Sequence, residues 1–434
     1  MPCAIVGPIS ATVLRYNASP MGNARLTQTI WKLIQSPAVI FLIALTVRLW
    51  AAFQLVPAKA WQHFYGYNEF ARIAWAVVSG YGYSSPWANT PLAPTAVEPP
   101  IYSYLLAGIF KIAGAYSYRS LWIAVVLNAL LSAVIAVLIL RIGRRDFGRF
   151  VGVLAAWVWS CWLYEAVVAI RLWESSLAAL LLTVALLWLP RLADSSRTSA
   201  WVLFGVLAGV AGLTNTTLLA VFPFFWAWLA VLCRRRGHIC GKRLTASVGA
   251  FVLLLTPWTI RNYTVFQHLM PVRDNFGLEL WLGNHEEPPG HFDNDFPILN
   301  PATYNRLGEI RFMEQKRETA LQFLRQHPQK FVRRSLRRVL LFWTAPEGSA
   351  WPWVCLLAWL GLALALRNRK TNALPNAVVM VMFPLVYYIT HTYDTYRHPM
   401  EPVILLLASY ALMQAGETVG RRLRHPSSTR IASA

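Results

Sequence analysis

The chain consists largely of apolar segments, each roughly twenty residues long, separated by short basic or proline-rich breaks. A helix of about twenty apolar residues crosses the hydrocarbon core of a bilayer. Only 14% of the residues are charged, against about 25% in soluble domains, so most of the surface cannot face water. We therefore predict an all-α polytopic membrane protein of about ten transmembrane helices, at residues 38–56, 119–142, 149–168, 174–189, 200–213, 216–233, 244–260, 351–366, 374–390 and 399–413.

Basic residues predict how these spans are oriented. The clusters fall in short loops that lie on one side of the membrane if the spans are correct, at Arg144 and Arg145, at Arg191 and Arg197, at Arg234, Arg235 and Arg236, at Arg367 and Lys370, and at Arg421 and Arg422. Short basic loops remain in the cytoplasm. We therefore expect a cytoplasmic segment at 1–36, a membrane domain at 37–417 and a cytoplasmic basic tail at 418–434. The net charge of +21 suits this topology and anionic lipids, and no nucleic-acid partner is expected.

The same orientation places two large loops, 57–118 and 261–350, on the outer face. The block 101–115 is apolar but too short to span and follows Pro99-Pro100. We interpret it as an interfacial helix, because counting it as a span would put the basic loops outside. In the second loop, Asn300-Pro301 predicts a helix start and Pro328 an interruption. A membrane protein with its large loops on one face is expected to work on that face.

Two acidic residues of the first loop are candidates for acid–base chemistry. Glu69 opens an amphipathic helix whose apolar face is expected to enter the membrane interface. Partial desolvation there would raise its pKa toward that of a working base. The alternative is an acid that only stabilises the positive end of the helix dipole. Glu98, beside Pro99-Pro100, is a second and weaker candidate.

The ends of several spans carry candidate substrate-binding groups. Arg171 and Glu174 lie at the outer end of one span, where they either pair with each other or bind substrate. Arg261 with Asn262, and Tyr396 with Arg397, lie at the outer ends of two other spans. Two arginines at one depth can bind a phosphate, although interfacial anchoring explains them equally well.

A basic amphipathic segment, 330–343, contains Arg333 and Arg337 among apolar residues. It is either a surface helix resting on anionic headgroups or a clamp for a lipid phosphate. The polar stretch 284–295 contains His285, Glu286 and Glu287. Such groups could hold a divalent cation, but they lack a recognised ligand spacing, so no metal ligands are assigned.

Taken in order, the motifs resemble the membrane glycosyltransferases of the GT-C class, in particular the bacterial branch related to protein mannosyltransferases and aminoarabinose transferases (families 39 and 83). The residues that carry the resemblance are Asn68-Glu69 with Arg72-Ile73-Ala74 and Gly80-Tyr81-Gly82; Pro94-Thr95-Ala96 with Pro99-Pro100-Ile101-Tyr102; Trp173-Glu174-Ser175; Gly212-Leu213-Thr214-Asn215; Pro257-Trp258 with Arg261-Asn262-Tyr263; Leu280-Trp281-Leu282-Gly283-Asn284; and Tyr396-Arg397 with Pro399.

The resemblance implies a sugar donor linked to a polyprenyl phosphate, and a glycan, lipid or protein acceptor on the outer face. The enzyme would lie in a bacterial inner membrane with its active site facing the periplasm. In the family an acidic residue of the first outer loop activates the acceptor hydroxyl, a role that maps to Glu69, where many members have Asp.

Two other classes of function remain open on the sequence alone. A transporter or flippase of lipid-linked sugars would share the spans and the basic outer pocket, but it would favour internal repeats, and none is apparent. A non-catalytic binding partner for lipid-linked sugars would share them too. Replacing Glu69 with Gln separates a transferase from both alternatives.

Overall fold

The computed structural model describes residues 20–56, 65, 68–87, 90–286, 301–345, 349–370 and 372–424. Within these ranges the chain is helical and forms no strand; one isolated bridge pairs Ser84 with Pro94. The predicted amino-terminal segment lies mostly outside the described residues, as do the end of the basic tail and Glu287 of the polar stretch.

The first half contains α1 (Pro20–Ile34), α2 (Pro37–Leu55), α3 (Glu69–Val78), α4 (Pro100–Ala113), α5 (Tyr118–Asp146), α6 (Arg149–Cys161), α7 (Leu163–Ala169), α8 (Ser175–Ala193) and α9 (Thr198–Thr214). The second half contains α10 (Phe222–Arg235), α11 (Gly241–Phe266), α12 (Phe276–Gly283), α13 (Pro301–Leu307), α14 (Glu309–Gln326), α15 (Pro328–Thr344), α16 (Trp351–Arg367), α17 (Ala373–Met382), α18 (Leu385–Ile389) and α19 (Glu401–Arg424). Two 3-10 helices, Thr216–Ala220 and Asp394–Met400, precede α10 and α19.

The structure confirms an all-α polytopic membrane protein. Among the described residues, six helical segments are long and apolar enough to cross a bilayer, namely Pro37–Leu55, Tyr118–Asp146, Ser175–Ala193, Thr216–Arg235, Gly241–Phe266 and Thr395–Val419. A seventh candidate is the pair α6 and α7, which bends by 66° at its break. Each of these seven coincides with a span predicted from the sequence.

Three further predicted spans coincide with shorter apolar helices, α9, α16 and the broken pair α17 and α18. The total of ten spans therefore stays a prediction. The block that we interpreted as interfacial forms α4, whose fourteen residues extend only about 21 Å.

The polar residues separate to the two ends of the spans. Glu174 precedes α8 and Asp194 follows it, so about 28 Å of helix divides them, close to the thickness of the hydrocarbon core. At the Asp194 end Arg236 forms an ion pair with Asp194. Asp146, the last residue of α5, lies at this same end and accepts a hydrogen bond from Asn372 at 2.6 Å. The groups described next lie at the opposite end, with Glu174.

Small residues let the spans approach closely. A side chain at Gly361 of α16 would lie 1.9 Å from the carbonyl oxygen of Leu407 in α19, and one at Gly205 of α9 would lie 2.0 Å from that of Ser247 in α11. Glycine is therefore required at both crossings, as is common where membrane helices pack backbone against backbone.

Candidate active site

Glu69 is held at the amino terminus of α3 by a side-chain cap. Asn68 accepts a hydrogen bond from the Ala71 amide at 2.8 Å and donates one to the Leu172 carbonyl at 2.5 Å. The apolar face of α3 packs into the protein rather than into the membrane interface, because Phe70 meets the rings of Tyr102 and Trp173 edge-on. The helix is thereby fixed, and the Glu69 side chain is left half-buried.

Glu69 and Glu98 form a coupled pair of carboxyl groups. The Trp87 indole donates to Glu69 Oε1 at 2.5 Å. Burial raises the pKa of Glu69. Burial also raises the pKa of Glu98 well above its usual range, where the negative charges of Glu69 and Glu174 add to the effect and Arg273 opposes it. The pKa of Glu98 is thus raised further than that of Glu69, which favours Glu69 as the member of the pair that can act as a base.

Arg273 is the central cation of this region. Its guanidinium donates from Nε to the Val97 carbonyl at 2.9 Å and lies 3.3 Å from Glu98 and 3.6 Å from Glu279. These carboxylates raise its pKa although burial opposes them. The side chain is 21% exposed, and Nη1 makes no hydrogen bond within the described ranges. This nitrogen is available to a bound anion.

Glu279 joins Arg273 to the start of the last span. Asn275 donates to Glu279 Oε1 at 2.6 Å, and His391 Nδ1 lies 2.9 Å from Oε2. Burial raises the pKa of Glu279, but His391 and Arg273 more than offset this and lower it to about 2. His391 Nε2 in turn lies 3.1 Å from the Tyr396 hydroxyl.

Glu174 completes the group at the start of α8. Its side chain is buried, and Oε1 accepts a hydrogen bond from Asn215 at 3.0 Å while Oε2 has no partner among the described atoms. The Arg171 side chain is exposed, and the described residues show no ion pair between it and Glu174. We call Glu69, Glu98, Glu174, Arg273, Glu279 and His391 the outer cluster.

Arg338 of α15 joins the elements that carry Glu279 and His391 of the outer cluster. It donates to the Gly283 carbonyl and to Asn284 (2.9 Å), just after α12, and to the Ile389 carbonyl at 3.1 Å. A side chain at Gly283 would lie 1.8 Å from the Thr390 carbonyl oxygen. Arg338 and Gly283 together bring Glu279 next to His391.

Arg261 and Asn262 face the first outer loop instead. Arg261 donates to the carbonyls of Thr95 (2.7 Å) and Tyr83 (2.9 Å), and its guanidinium also lies over the Trp258 ring. Asn262 is buried and donates to the Met270 and Val272 carbonyls, both at 3.1 Å. Both side chains hold backbone in place beside the outer cluster.

Tyr396 and Arg397 are adjacent in sequence but point to different places. Tyr396 contacts His391 of the outer cluster. Arg397 is buried, lies 3.3 Å from Glu401, and donates to the Phe342 and Ala345 carbonyls at the end of α15.

Arg397 belongs to a second buried group within the spans. His398 Nδ1 lies 2.9 Å from Glu165 and 3.2 Å from Glu401. We call Glu165, Arg397, His398 and Glu401 the inner cluster. Nearby, Arg48 is fully buried and donates to Ser132 and to backbone carbonyls that include Trp159 and Ser160.

The inner cluster contains three groups that could ligate a metal ion, with ligand atoms of Glu165, His398 and Glu401 all within 4.8 Å of one another. The guanidiniums of Arg397 and Arg48 already balance the two carboxylates, with Arg48 acting on Glu165 through space. A divalent cation would add two positive charges to a site buried in the membrane domain, which is costly. The arrangement therefore fits a shared proton better than a metal.

The basic segment of the second outer loop forms α15, and its arginines divide between two faces. Arg333 and Arg337 are exposed beside Val332 and Leu336, whereas Arg338 is buried. The exposed face is thus both basic and apolar, and it lies apart from the outer cluster.

Arg273, Glu279 and His391 were not among the residues singled out from the sequence. Arg273 and His391 lie in connections without a repeating pattern. The one available signal is Glu279, a single carboxylate in the otherwise apolar segment that forms α12. An acid in such a segment is expected to be paired or functional.

The fold was compared with known proteins. The described chain aligns over 94% of its length with the oligosaccharyltransferase AglB from Archaeoglobus fulgidus, solved with an inhibitory peptide and a dolichol-phosphate, at a TM-score of 0.54 and 14% identity. The same oligosaccharyltransferase tethered to an acceptor peptide aligns over 92% of the chain, at 0.53 and 12% identity. The fold is that of the GT-C membrane glycosyltransferases.

Sequence comparison agrees with the GT-C fold. The family model of dolichyl-phosphate-mannose-protein mannosyltransferases matches residues 97–260, which include Glu98 and Glu174. The resemblance that we inferred from the motifs is thus confirmed. No curated protein matches the chain by sequence.

The chain spans about half the length of the oligosaccharyltransferases that it matches, 53% and 52%. A weaker likeness is to ArnT from Cupriavidus metallidurans bound to undecaprenyl phosphate, with a TM-score of 0.47 and 16% identity over 94% of this chain and 64% of that one.

Proposed function

We propose that this protein transfers a sugar from a polyprenyl-phosphate donor to a glycan, lipid or protein acceptor at the periplasmic face of a bacterial inner membrane. The observation that carries the proposal is the outer cluster. It places an ionisable, half-buried carboxylate beside an available guanidinium at one end of the spans, within a GT-C fold.

Glu69 acts as the base in this proposal. It takes the proton of the acceptor hydroxyl while the acceptor oxygen bonds to the anomeric carbon. The bond from that carbon to the phosphate oxygen breaks, and its electron pair leaves with the phosphate. A base with a raised pKa suits this step, since proton transfer is most effective when the pKa of the base approaches the working pH. Glu98 carries a proton and adds no second negative charge next to Glu69.

Arg273 stabilises the negative charge that develops on the leaving phosphate. Its Nη1 has no partner within the described residues, and the side chain is partly exposed, whereas Arg261 and Arg397 are engaged with carbonyls. A fixed cation next to a leaving anion contributes to catalysis because it requires no reorganisation during the reaction. Tyr396, which reaches the cluster through His391, contacts the same phosphate.

The buried Glu174 binds the sugar. Asn215 donates to one of its carboxyl oxygens, and Oε2 has no partner among the described residues. A sugar hydroxyl can donate to that oxygen, and a buried acceptor left without a donor would be costly. This assignment makes Glu174 a specificity residue rather than a member of the ion pair with Arg171 that the sequence left open.

The relatives support the proposed class of donor. The oligosaccharyltransferase AglB was solved with a dolichol-phosphate, and the matching family model describes enzymes that use dolichyl-phosphate-mannose. A polyprenyl phosphate presents the same headgroup at the membrane surface, where Glu69 and Arg273 would meet it.

Mass spectrometry of lipid-linked sugars in a deletion strain tests this function. The strain should accumulate one polyprenyl-phosphate sugar and lack one envelope glycan. A plasmid that encodes the wild-type protein should reverse both changes, and one that encodes E69Q should reverse neither. The matched control E98Q should restore transfer, because glutamine mimics a protonated Glu98. Restoration by E69Q would exclude Glu69 as the base, and an unchanged lipid profile in the deletion strain would exclude the proposed donor.

A further inference from the structure

Three side chains form a continuous chain of polar contacts at the edge of the outer cluster. Glu279 Oε2 lies 2.9 Å from His391 Nδ1, and His391 Nε2 lies 3.1 Å from the Tyr396 hydroxyl. Each residue belongs to a different element, since Glu279 is in α12, His391 follows α18 and Tyr396 is in the 3-10 helix before α19. Arg338 holds the first two elements together, so the contacts are fixed by the fold.

The Glu279 carboxylate determines which imidazole nitrogen carries a proton. Asn275, His391 and Arg273 all present donors to Glu279, and its pKa is lowered to about 2. An ionised carboxylate only accepts hydrogen bonds. The 2.9 Å approach of His391 Nδ1 to Glu279 Oε2 is therefore favourable only when that nitrogen carries a proton.

The second imidazole nitrogen then controls the direction of the Tyr396 hydroxyl. In neutral His391 the Nε2 atom is an acceptor, so Tyr396 donates its proton to the ring and offers only lone pairs to a ligand. In the imidazolium, Nε2 donates to the Tyr396 oxygen, and the hydroxyl proton is free to be donated to a ligand. One proton on His391 thus converts Tyr396 from an acceptor into a donor.

Few other groups act on His391 and Tyr396. Glu279 faces His391 from α12, and Arg273 faces Glu279 from the connection before α12. The Tyr387 ring from α18 lies 5.0 Å from that of Tyr396, and the Tyr393 ring lies 5.9 Å from it. Glu69 acts on the Tyr396 hydroxyl through space. Within the described residues, only Glu279 and Tyr396 make an ion pair or a hydrogen bond with His391.

We propose that Glu279 and His391 are positioning residues that set the direction of the Tyr396 hydroxyl, and that binding of the donor's phosphate draws a proton onto His391. An anion next to Tyr396 favours the arrangement in which the hydroxyl donates, and only the imidazolium permits it. This inference rests on the proposed function, in which Tyr396 contacts the phosphate.

Two substitutions at one position separate the two contacts of the ring. In H391Q the longer side chain places an amide near the position of Nε2, so the contact with Tyr396 is kept without a group that can be protonated. In H391N the amide lies near the position of Nδ1, so the contact with Glu279 is kept and the contact with Tyr396 is lost.

Proton uptake is the direct test. Undecaprenyl phosphate is titrated into the full-length protein in phosphatidylcholine nanodiscs. The heat of binding is measured by calorimetry in two buffers of different ionisation enthalpy, at pH values from about 6 to 9, the range in which histidines ordinarily titrate. The wild-type protein should take up more protons per bound lipid than H391Q. The difference should approach about one proton at the pH where it is largest. Equal uptake by the two proteins at every pH would overturn the proposal.

Steady-state transfer provides the second readout. H391N and Y396F should lower kcat by about tenfold to a hundredfold, the scale for loss of one donor to a developing oxyanion, with KM little changed. H391Q should retain most of kcat, and equal losses in H391Q and H391N would overturn the positioning role. The proposed function fails separately, if E69Q transfers as fast as the wild type. The positioning role of Glu279 and His391 is contradicted if H391N transfers as fast as the wild type while E69Q is inactive.

Discussion

Two buried clusters of carboxylates in this protein differ in what their charges are bound to. In the inner cluster, Arg397 is 1% exposed and is engaged by Glu401 and by carbonyls at the end of α15. In the outer cluster, Arg273 is 21% exposed and keeps one nitrogen without a partner within the described ranges. Charges of the first kind hold helices together, whereas charges of the second kind are available to a ligand.

The carboxylates show the same contrast. Glu401 accepts a hydrogen bond from Arg397 and lies beside His398. It is fully buried at the start of the last span. Glu69 is half-buried beside Glu98, whose pKa is raised well above its usual range by burial. Burial and unfilled bonding capacity do not distinguish the two clusters, since Glu165 Oε1 of the inner cluster also has no hydrogen-bond partner among the described atoms; the partial exposure of Glu69 at the end of the spans does.

Replacing Arg273 with Met should have the largest effect on function of any cation in the protein. The variant loses the charge next to the leaving phosphate, so transfer should fall by about a hundredfold or more. Arg273 also lowers the pKa of Glu69 and Glu98. Its removal raises those pKa values, so the base is ionised only at higher pH, and the acidic limb of the pH–rate profile should move upward.

The matched change in the inner cluster is R397M. It leaves the Glu401 carboxylate without its guanidinium in a buried site, which typically costs about 3–5 kcal/mol of folding stability. We expect a markedly lower melting temperature by size-exclusion thermal assay, and a transfer rate per folded molecule that falls far less than in R273M. If R397M were stable but inactive, the division of roles between the two clusters would be wrong.

A smaller effect is expected from the exposed face of α15. In R333S/R337S the basic face loses two charges, each contributing about 1 kcal/mol of attraction to an anionic membrane surface. Transfer in nanodiscs should become less dependent on anionic lipid. The control R234S/R235S removes the same charge at the opposite end of the spans, and the same loss of lipid dependence there would contradict a specific role for α15.

The apolar segments of the sequence predicted the fold, because a long apolar segment in a bilayer must satisfy its backbone hydrogen bonds internally and therefore forms a helix. It also predicted that Glu69 opens an amphipathic helix, which α3 confirms, and that Pro328 separates two helices, which α14 and α15 confirm. Local signals of this kind, such as a cap or a proline, act within a few residues.

The partners of Glu69 could not be predicted in the same way. Arg273 and His391 reach the outer cluster from connections about 200 and 320 residues further along the chain, and contacts of that kind depend on how the helices pack rather than on local periodicity. Arg261 was an equally good cation on the sequence, and only the structure shows its nitrogens directed at the Tyr83 and Thr95 carbonyls.

The most direct test compares E69Q with E165Q, one glutamate-to-glutamine change in each cluster, by measuring single-turnover sugar transfer per folded molecule. The donor is the lipid-linked sugar that accumulates in the deletion strain. The account predicts a well-folded E69Q whose transfer rate falls by about a hundredfold or more, and an E165Q that melts at a lower temperature but transfers at close to the wild-type rate once folded. A stable, inactive E165Q together with an active E69Q would contradict it.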